Sequence, residues 1–235
     1  MLNANSITPL YKQLVQKLKD DIENGVYKPG DQLLPERDFA AQNGVSVITT
    51  RKALEELVQE GIIEKKQGKG TFVAKPKYGR DYTRIIGFSE SCRLQGLEPG
   101  AILLHKSIAV PDAKVLAELR LPKDSSSVFI SRLRTVNGEP MAIENNYFPL
   151  DYVFLLNEPL EGSLFDLLKQ KVNKVVVKSQ KTIEICRAGA QEAKNLNVAR
   201  NSPLLLVKSL ALTTDDAIVY YGVQIINSER FTLRM

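Results

Sequence analysis

Several residue types on which catalysis and metal binding depend are scarce in this sequence. It has two cysteines and one histidine among 235 residues. Cys92 and Cys186 stand far apart and form no CxxC pair, so we expect free thiols in a reducing compartment. The lone His105 excludes a histidine-based metal cluster and leaves a Ser-His-Asp triad with a single possible base. We therefore expect no cofactor, no metal and no enzymatic activity.

Long apolar runs are also missing, which argues against a membrane protein. The longest are far too short to span a bilayer, and the first five residues lack signal-peptide character. Hydrophobic residues make up 43% and charged residues 25% of the chain, and 235 residues leave room for two separate cores. We expect a cytoplasmic protein of two domains with no membrane partner.

The formal net charge of +5 suggests that the protein binds nucleic acid, but the distribution of the charges along the chain weakens that argument. Residues 1–75 hold eleven Lys and Arg against ten Asp and Glu, a net charge of +1. Any role in DNA binding must therefore depend on where the charges lie rather than on their sum.

The stretch from residue 34 to 73 predicts a winged helix-turn-helix. Asn43-Gly44 separates two predicted helices, because both residue types tolerate left-handed backbone, and Ser46 can cap the second helix. Short strands then follow over 62–66 and 71–73, around a tip that contains two glycines. Helix, turn, helix and β-hairpin is the order of a winged helix-turn-helix.

The second of these helices exposes hydroxyl groups and a guanidinium near its start. Such groups bond phosphates and base edges when a helix N-terminus enters the major groove. Ordinary solvated positions are the alternative for Arg51 and Lys52, but the basic wing favours DNA. The residues predicted to contact DNA are Arg37, Ser46, Thr49, Thr50, Arg51, Lys65, Gly68, Lys69 and Gly70.

Motif residues are spread through the first 75 positions. They are Pro9-Leu10-Tyr11, Gln13, Ile22, Gly25, Pro29-Gly30, Glu36-Arg37, Ala40, Val45-Ser46, Thr49, Arg51, Ala53-Leu54, Leu57, Glu60-Gly61 and 68–73. This pattern resembles the DNA-binding domain of the GntR superfamily of bacterial transcription regulators. Where the family has Pro-Ser before Glu-Arg, this chain has Leu34-Pro35. Val47 replaces the arginine that commonly reads a base in the family, which implies an altered operator sequence.

Residues 75–84 combine proline, glycine and alternating charge with almost no aliphatic side chains. This composition predicts an interdomain linker, with a basic arm on DNA as the alternative. The predicted domains are a winged helix-turn-helix over 1–75, a linker over 76–84, and a second domain, expected to mediate dimerisation, over 85–235.

The sequence of residues 85–235 predicts mostly strands, with a few helices. Hairpins are predicted to turn at Asn137-Gly138 and at 214–216, and a last strand over 230–234 is expected to close the same sheet. An antiparallel sheet with helices on one side gives an α+β domain.

Sparse markers in this half resemble the effector-binding (UTRA) domain of the HutC subfamily, whose fold is chorismate-lyase-like. They are Gly87-Phe88-Ser89-Glu90, Gly96, Pro99-Gly100, Arg132, Arg134, 140–144, Ser163-Leu164-Phe165 and 229–231. The resemblance implies a small anionic effector such as a sugar phosphate. The phosphate would be bound at Ser89, Arg132, Arg134 and Ser163, and the sugar at Glu144. The predicted ligand-binding residues are Phe88, Ser89, Arg132, Arg134, Glu144, Ser163, Phe165 and Phe231.

Two departures from this pattern bear on the ligand. Several sugar-phosphate members have an acidic residue where this chain has Tyr220, and tyrosine where it has Phe165 and Phe231. These two departures predict a ligand less polar than an amino sugar phosphate.

The geometry of the strand that carries Arg132 and Arg134 also favours an anionic ligand. Side chains two residues apart on a strand point to the same face, where two guanidinium groups can clamp an anion. The alternative is an exposed face of alternating arginines on an edge strand.

Together these observations predict a ligand-responsive transcription regulator, most simply a repressor. One recognition helix reads few base pairs, so we expect a homodimer on a palindromic operator. Two alternatives stay open. They are an enzyme that processes a small carboxylate with Arg132, Arg134 and Glu144, and a DNA-binding protein without a ligand.

Overall fold

The computed structural model describes residues 2–3, 6–66, 68–75 and 77–234. The chain divides into two compact units, Met1–Pro76 and Lys77–Met235. Gln67 of the predicted wing tip and Pro76 of the predicted linker lie outside the described residues. None of the helices in the described ranges has the length and apolar character that crossing a membrane requires.

The first unit contains the predicted winged helix-turn-helix. Its elements are α1 (Leu10–Glu23), α2 (Glu36–Asn43), α3 (Val47–Gln59), β1 (Ile63–Lys66) and β2 (Gly70–Val73). Gly44 ends α2 in the left-handed conformation with φ 66°, and the Ser46 side chain accepts a hydrogen bond from the Thr49 amide at the start of α3. The predicted turn and helix cap are therefore confirmed.

An apolar core holds the three helices and the hairpin together. Leu14 and Leu18 of α1 pack with Leu54 and Leu57 of α3, and all four are almost fully buried. The wing is fastened by Gln32, whose side-chain amide donates to the Lys69 carbonyl at 2.8 Å. The recognition helix and the wing therefore belong to one small body.

The second unit contains a main antiparallel sheet and a separate parallel pair of strands. Its strands are β3 (Tyr78–Asp81), β4 (Pro99–Ala109), β5 (Ser127–Val136), β6 (Glu139–Phe148), β7 (Lys178–Arg187), β8 (Pro203–Leu212), β9 (Ile218–Asn227) and β10 (Phe231–Arg234). Its helices are α4 (Phe88–Arg93), α5 (Ala113–Glu118), α6 (Leu164–Val172) and α7 (Ala190–Leu196), with 3₁₀ segments at Leu150–Asn157 and Ser228–Arg230. Six strands form the main sheet in the order β4–β5–β6–β9–β8–β7. The predicted α+β architecture is confirmed.

Helices cover both faces of this sheet, so the prediction of helices on one side is wrong. α6 packs Leu164 and Leu168 against Val128 and Ile130 of β5. On the opposite face, Leu196 of α7 packs in a cluster with neighbouring residues of β5 and β6. The reason is that β5 is buried along nearly its whole length, which is typical of a strand covered on both sides.

The β5–β6 hairpin sets the register across the middle of the sheet. Asn137 and Gly138 both adopt left-handed φ values, 50° and 78°, as a tight two-residue turn requires. From this turn, Arg132 pairs with Glu144, and Glu144 pairs in turn with Gln224 of β9. Three polar side chains thus stand side by side across three adjacent strands.

The predicted linker is wrong at residues 78–81, which form β3. This strand pairs in parallel with β10, so the last strand does not close the main sheet either. Tyr78 is 2% exposed, and its ring lies 5.5 Å from that of Phe88 and 5.4 Å from that of Phe231. One aromatic side chain with partners far along the chain anchors this segment, and local composition carries no signal of such pairing.

We expect Tyr78→Ala in the full chain to destabilise the second unit by about 3–5 kcal/mol, as large-to-small changes at buried aromatic positions do. Lys77→Ala, at an exposed neighbouring position, is the matched control and should leave stability unchanged. Urea unfolding followed by circular dichroism measures both. Equal midpoints for the two variants would mean that residues 77–81 are a linker after all.

Candidate nucleic-acid interface and ligand cleft

The start of α3 and the wing present the predicted DNA-binding residues on the surface of the first unit. Those that are exposed are Arg37, Ser46, Arg51, Lys65, Gly68, Lys69 and Gly70. Thr49 is half-buried, and its hydroxyl lies 2.8 Å from that of Ser46. One of these two hydroxyls donates to the other at the helix cap, and the accepting hydroxyl keeps its proton for an outside partner.

Thr50 does not belong to this surface, and its prediction as a DNA contact is wrong. The residue is fully buried, and its hydroxyl has no hydrogen-bond partner among the described residues. It falls on the same side of α3 as Ala53, Leu54 and Leu57. Its position in the helical repeat therefore turns it inward, although its side chain is polar.

Glu36, which the sequence reasoning did not single out, organises the basic surface. Its two carboxylate oxygens accept hydrogen bonds from Arg51 Nε and Lys65 Nζ, each at 3.0 Å. The hydrogen bond from Lys65, together with that from Arg51, lowers the pKa of Glu36. Exposed ion pairs of this kind contribute about 0–1 kcal/mol, so a DNA phosphate can displace the carboxylate at little cost.

A cleft opens on one face of the sheet in the second unit. Seven of the eight predicted ligand-binding residues line it. Its lining is Arg80, Gly87, Phe88, Ser89, Arg132, Arg134, Glu144, Ser163, Leu164, Phe165, Tyr220 and Gln224. Phe231 is not among them, because it lies buried in the core beside Tyr78 and Tyr82. Its placement in the predicted ligand site is therefore wrong.

Both terminal nitrogens of Arg132 are hydrogen-bonded to the protein, whereas its buried Nε has no partner among the described residues. One terminal nitrogen donates to the carbonyls of Leu160 and Gly162 at 3.0 and 3.2 Å, and the other donates to Glu144. The side chain is 1% exposed. Arg132 therefore ties the segment before α6 to the floor of the cleft.

Arg134 is buried as well but keeps more of its hydrogen-bonding capacity. It donates to the Ser89 hydroxyl at 2.9 Å, lies 4.6 Å above the Phe88 ring, and approaches Glu144 to 3.8 Å. Its Nε has no hydrogen-bond partner among the described residues. Burial lowers the pKa of Arg134 to about 10, so it remains charged at neutral pH. The alternative of a solvated edge-strand face is wrong, because β5 is an interior strand.

Glu144 holds the negative charge between these two cations. It accepts hydrogen bonds from Arg132 and, at 2.9 Å, from Gln224. Burial alone would raise its pKa, but Arg132 and Arg134 outweigh that effect and hold the pKa at about 2. The carboxylate is therefore ionised throughout the neutral range.

A second cleft adjoins the first and shares four of its lining residues: Arg80, Phe165, Tyr220 and Gln224. It adds Tyr82 and Lys181, among others. The sequence reasoning missed Arg80 because it assigned residues 76–84 to a linker. Lys181 stands in a run of polar residues, 178–182, which has no polar–apolar alternation to mark its inward-facing side.

A winged DNA-binding unit followed by a sheet domain with a buried cationic cleft defines a DNA-binding transcription regulator with a ligand-binding domain. Residues 10–73 match the bacterial regulatory proteins of the gntR family, and residues 94–232 match the UTRA domain. The chain belongs to the gntR family and carries a UTRA domain.

Named relatives and a solved structure agree with this assignment. The chain is 30% identical over 232 residues to the HTH-type transcriptional repressor NagR of Bacillus subtilis, covering 98% of this chain and 96% of that protein. It is 31% identical over 229 residues to the probable fructoselysine utilization operon transcriptional repressor of Escherichia coli, covering 95% and 93%. The crystal structure of PhnF from Mycobacterium smegmatis matches with a TM-score of 0.69 at 25% identity, covering 94% of this chain and 97% of PhnF.

We expect Glu144→Gln to flatten the acid side of the stability profile. A carboxylate whose folded pKa is about 2 stabilises the protein above its unfolded pKa, about 4.3, and loses that contribution as the pH falls through 2. Wild type should therefore lose on the order of 3 kcal/mol more than the variant between pH 5 and 2.

Urea midpoints at several pH values measure the difference, with Glu184→Gln as an exposed carboxylate control. Parallel profiles for wild type and Glu144→Gln would mean that the cleft does not hold this carboxylate ionised.

Proposed function

We propose that this protein is a repressor that binds operator DNA through residues 1–75 and a small anionic metabolite, such as a sugar phosphate, through its second unit. The observation that carries the effector is the charge of the cleft. Three guanidinium groups line it, those of Arg80, Arg132 and Arg134, against the single carboxylate of Glu144. Buried charges are normally balanced, so the excess of cations favours an anionic ligand.

The two arginines of β5 take different roles in this proposal. Arg132 is occupied by protein acceptors and serves to position Glu144 and the segment before Ser163. Arg134, with Ser89 beside it, supplies the donors that meet a phosphate. Ser163, whose oxygen caps α6 by accepting from the Asp166 amide at 3.2 Å, keeps its hydroxyl proton for the same anion.

We propose no catalytic step. The enzyme alternative needs a group that exchanges a proton near neutral pH, and Glu144, with a pKa of about 2, is poorly suited to that task. His105 is exposed on β4 and does not line either cleft. The relatives named as transcriptional repressors support the same view.

We expect a thermal-shift screen of sugar phosphates to yield ligands that stabilise wild type and change its operator affinity about 5–150-fold. Arg134→Ala should weaken these ligands about 10–150-fold, because charge-assisted hydrogen bonds are lost, and should leave ligand-free DNA binding intact. Arg93→Ala, an exposed arginine on α4, is the matched control.

Arg134→Lys keeps the charge and guards against a folding defect in the alanine variant. If both Arg134 variants bind every ligand like wild type, the proposed anion site is wrong.

For the DNA we propose that α3 enters the major groove and that the wing contacts the backbone. Arg51 lies on the exposed side of α3, and Lys69 is exposed on the wing, where the described residues offer it no ion pair. Glu36 would give up Arg51 and Lys65 to the DNA. Its removal should therefore strengthen binding.

We expect Arg51→Ala to cost about 1–3 kcal/mol at a sequence selected from random DNA by the protein. Glu36→Gln should tighten binding to selected and random DNA alike, because a negative charge leaves the surface. Fluorescence anisotropy at several salt concentrations measures both, with Glu23→Gln at the end of α1 as the control. Unchanged affinity for both variants would contradict this docking.

We also propose that the protein acts as a homodimer through its second unit. The edge strand β4 carries three exposed aliphatic side chains, Ile102, Leu104 and Ile108, and an edge strand with apolar side chains is suited to pairing with a second copy. Two-fold symmetry would match a palindromic operator. The mass of the protein–DNA complex tests this, and a single chain per operator would contradict it.

A further inference from the structure

The second cleft is lined by three cationic side chains, of which only Arg80 also lines the first cleft. Arg80, Arg84 and Lys181 line it, and its lining contains no aspartate or glutamate among the described residues. The remaining polar groups there include the hydroxyls of Ser179 and Ser209, which are hydrogen-bond donors. The cleft is therefore positively charged and contains no acidic side chain to balance it.

Arg80 and Lys181 converge on one aromatic ring. The guanidinium carbon of Arg80 and the ammonium nitrogen of Lys181 each lie 5.0 Å from the centre of the Tyr82 ring. Their hydrogen bonds are long: Arg80 donates to the Ile86 carbonyl at 3.4 Å, and Lys181 donates to the Tyr82 carbonyl at 3.5 Å. Neither forms an ion pair within the described residues, so both keep strong donors for another partner.

Two like charges held together in a partly buried place repel each other. Burial, and after it the charge of Arg80, lowers the pKa of Lys181. The Tyr82 hydroxyl beside them is buried without a hydrogen-bond partner in the described part of the chain. An anion bound here would relieve the repulsion and accept hydrogen bonds from several groups that are poorly satisfied.

This cleft lies directly beside the first, because Arg80, Phe165, Tyr220 and Gln224 line both. We propose that Arg80 and Lys181 form a second anion subsite and that the effector is a metabolite with two anionic ends. A phosphate would lie at Arg134, and a second phosphate or a carboxylate would lie at Arg80 and Lys181. This inference rests on the proposed function, since it extends the same ligand site.

The subsite revises the expectation drawn from Tyr220. That expectation of a less polar ligand came from Tyr220 together with Phe165 and Phe231, where several sugar-phosphate members of the subfamily carry an acidic residue and tyrosines. The cations that lie near Tyr220 across the cleft instead favour a negatively charged group at that end. A ligand whose far end carries an ammonium group would meet repulsion there.

Paired probes test the subsite by isothermal titration calorimetry on the full chain. Glucose 6-phosphate is compared with 6-phosphogluconate, and fructose 6-phosphate with fructose 1,6-bisphosphate, since each pair differs by one added anionic group. We expect at least one doubly anionic probe to bind wild type about tenfold tighter than its singly anionic counterpart.

Variants at Lys181 then test whether this side chain causes the tighter binding of the doubly anionic probe. Lys181→Gln should bring the affinities of the two probes in a pair to within about twofold of each other, because the second anion loses its partner. Its affinity for the singly anionic probe should stay at the wild-type value, and Lys181→Arg should keep the preference. Lys178→Gln on the same strand, whose exposed lysine pairs with Asp216 at 2.8 Å, is the matched control and should also keep it.

The outcomes separate this inference from the proposed function. If singly anionic probes bind but the doubly anionic ones bind no tighter, or Lys181→Gln keeps the preference, the subsite is wrong and the phosphate site stands. If no probe binds wild type at millimolar concentration, the proposed effector class fails, and the subsite fails with it.

Discussion

The buried pairing of Arg132 with Glu144 is the interaction on which the second unit depends most. It joins two adjacent strands at the centre of the sheet, reaches β9 through Gln224, and reaches the segment before α6 through two carbonyl groups. Removing one partner from such a pair leaves an uncompensated buried charge, which typically costs about 3–5 kcal/mol. The pair is therefore part of the scaffold as well as part of the cleft.

This arrangement explains how neighbouring arginines on one strand come to differ. Arg132 and Arg134 share a face and a degree of burial, but their surroundings do not offer the same acceptors. Arg132 donates to a carboxylate and two carbonyls, whereas Arg134 donates to one hydroxyl, lies over an aromatic ring and comes no nearer than 3.8 Å to the Glu144 carboxylate. Burial without full hydrogen bonding is costly for a charged group. That cost is what an anionic ligand at Arg134 would offset, and it links the stability of the domain to its ligand.

The DNA-binding unit also pairs basic side chains with a carboxylate, but it does so at the surface. Arg51 and Lys65 share the Glu36 carboxylate at the surface, where water screens the charges and the pairs contribute little to stability. The small net charge of this unit therefore does not argue against DNA binding, because the basic side chains are concentrated beside one exchangeable carboxylate. A buried pair at this place could not exchange its partner so readily.

The sequence alone determined the elements and most of the candidate residues. Gly44, Ser46 and the Asn137-Gly138 turn act through local backbone preferences, and the spacing of Arg132 and Arg134 puts them on one face by strand geometry. Tertiary structure decided the rest. The pairing of β3 with β10, the placing of Phe231 in the core and the arrival of Lys181 at the Tyr82 ring all depend on partners distant in sequence. Local composition cannot report such partners, because the contact energy that fixes them arises only when the sheet has formed.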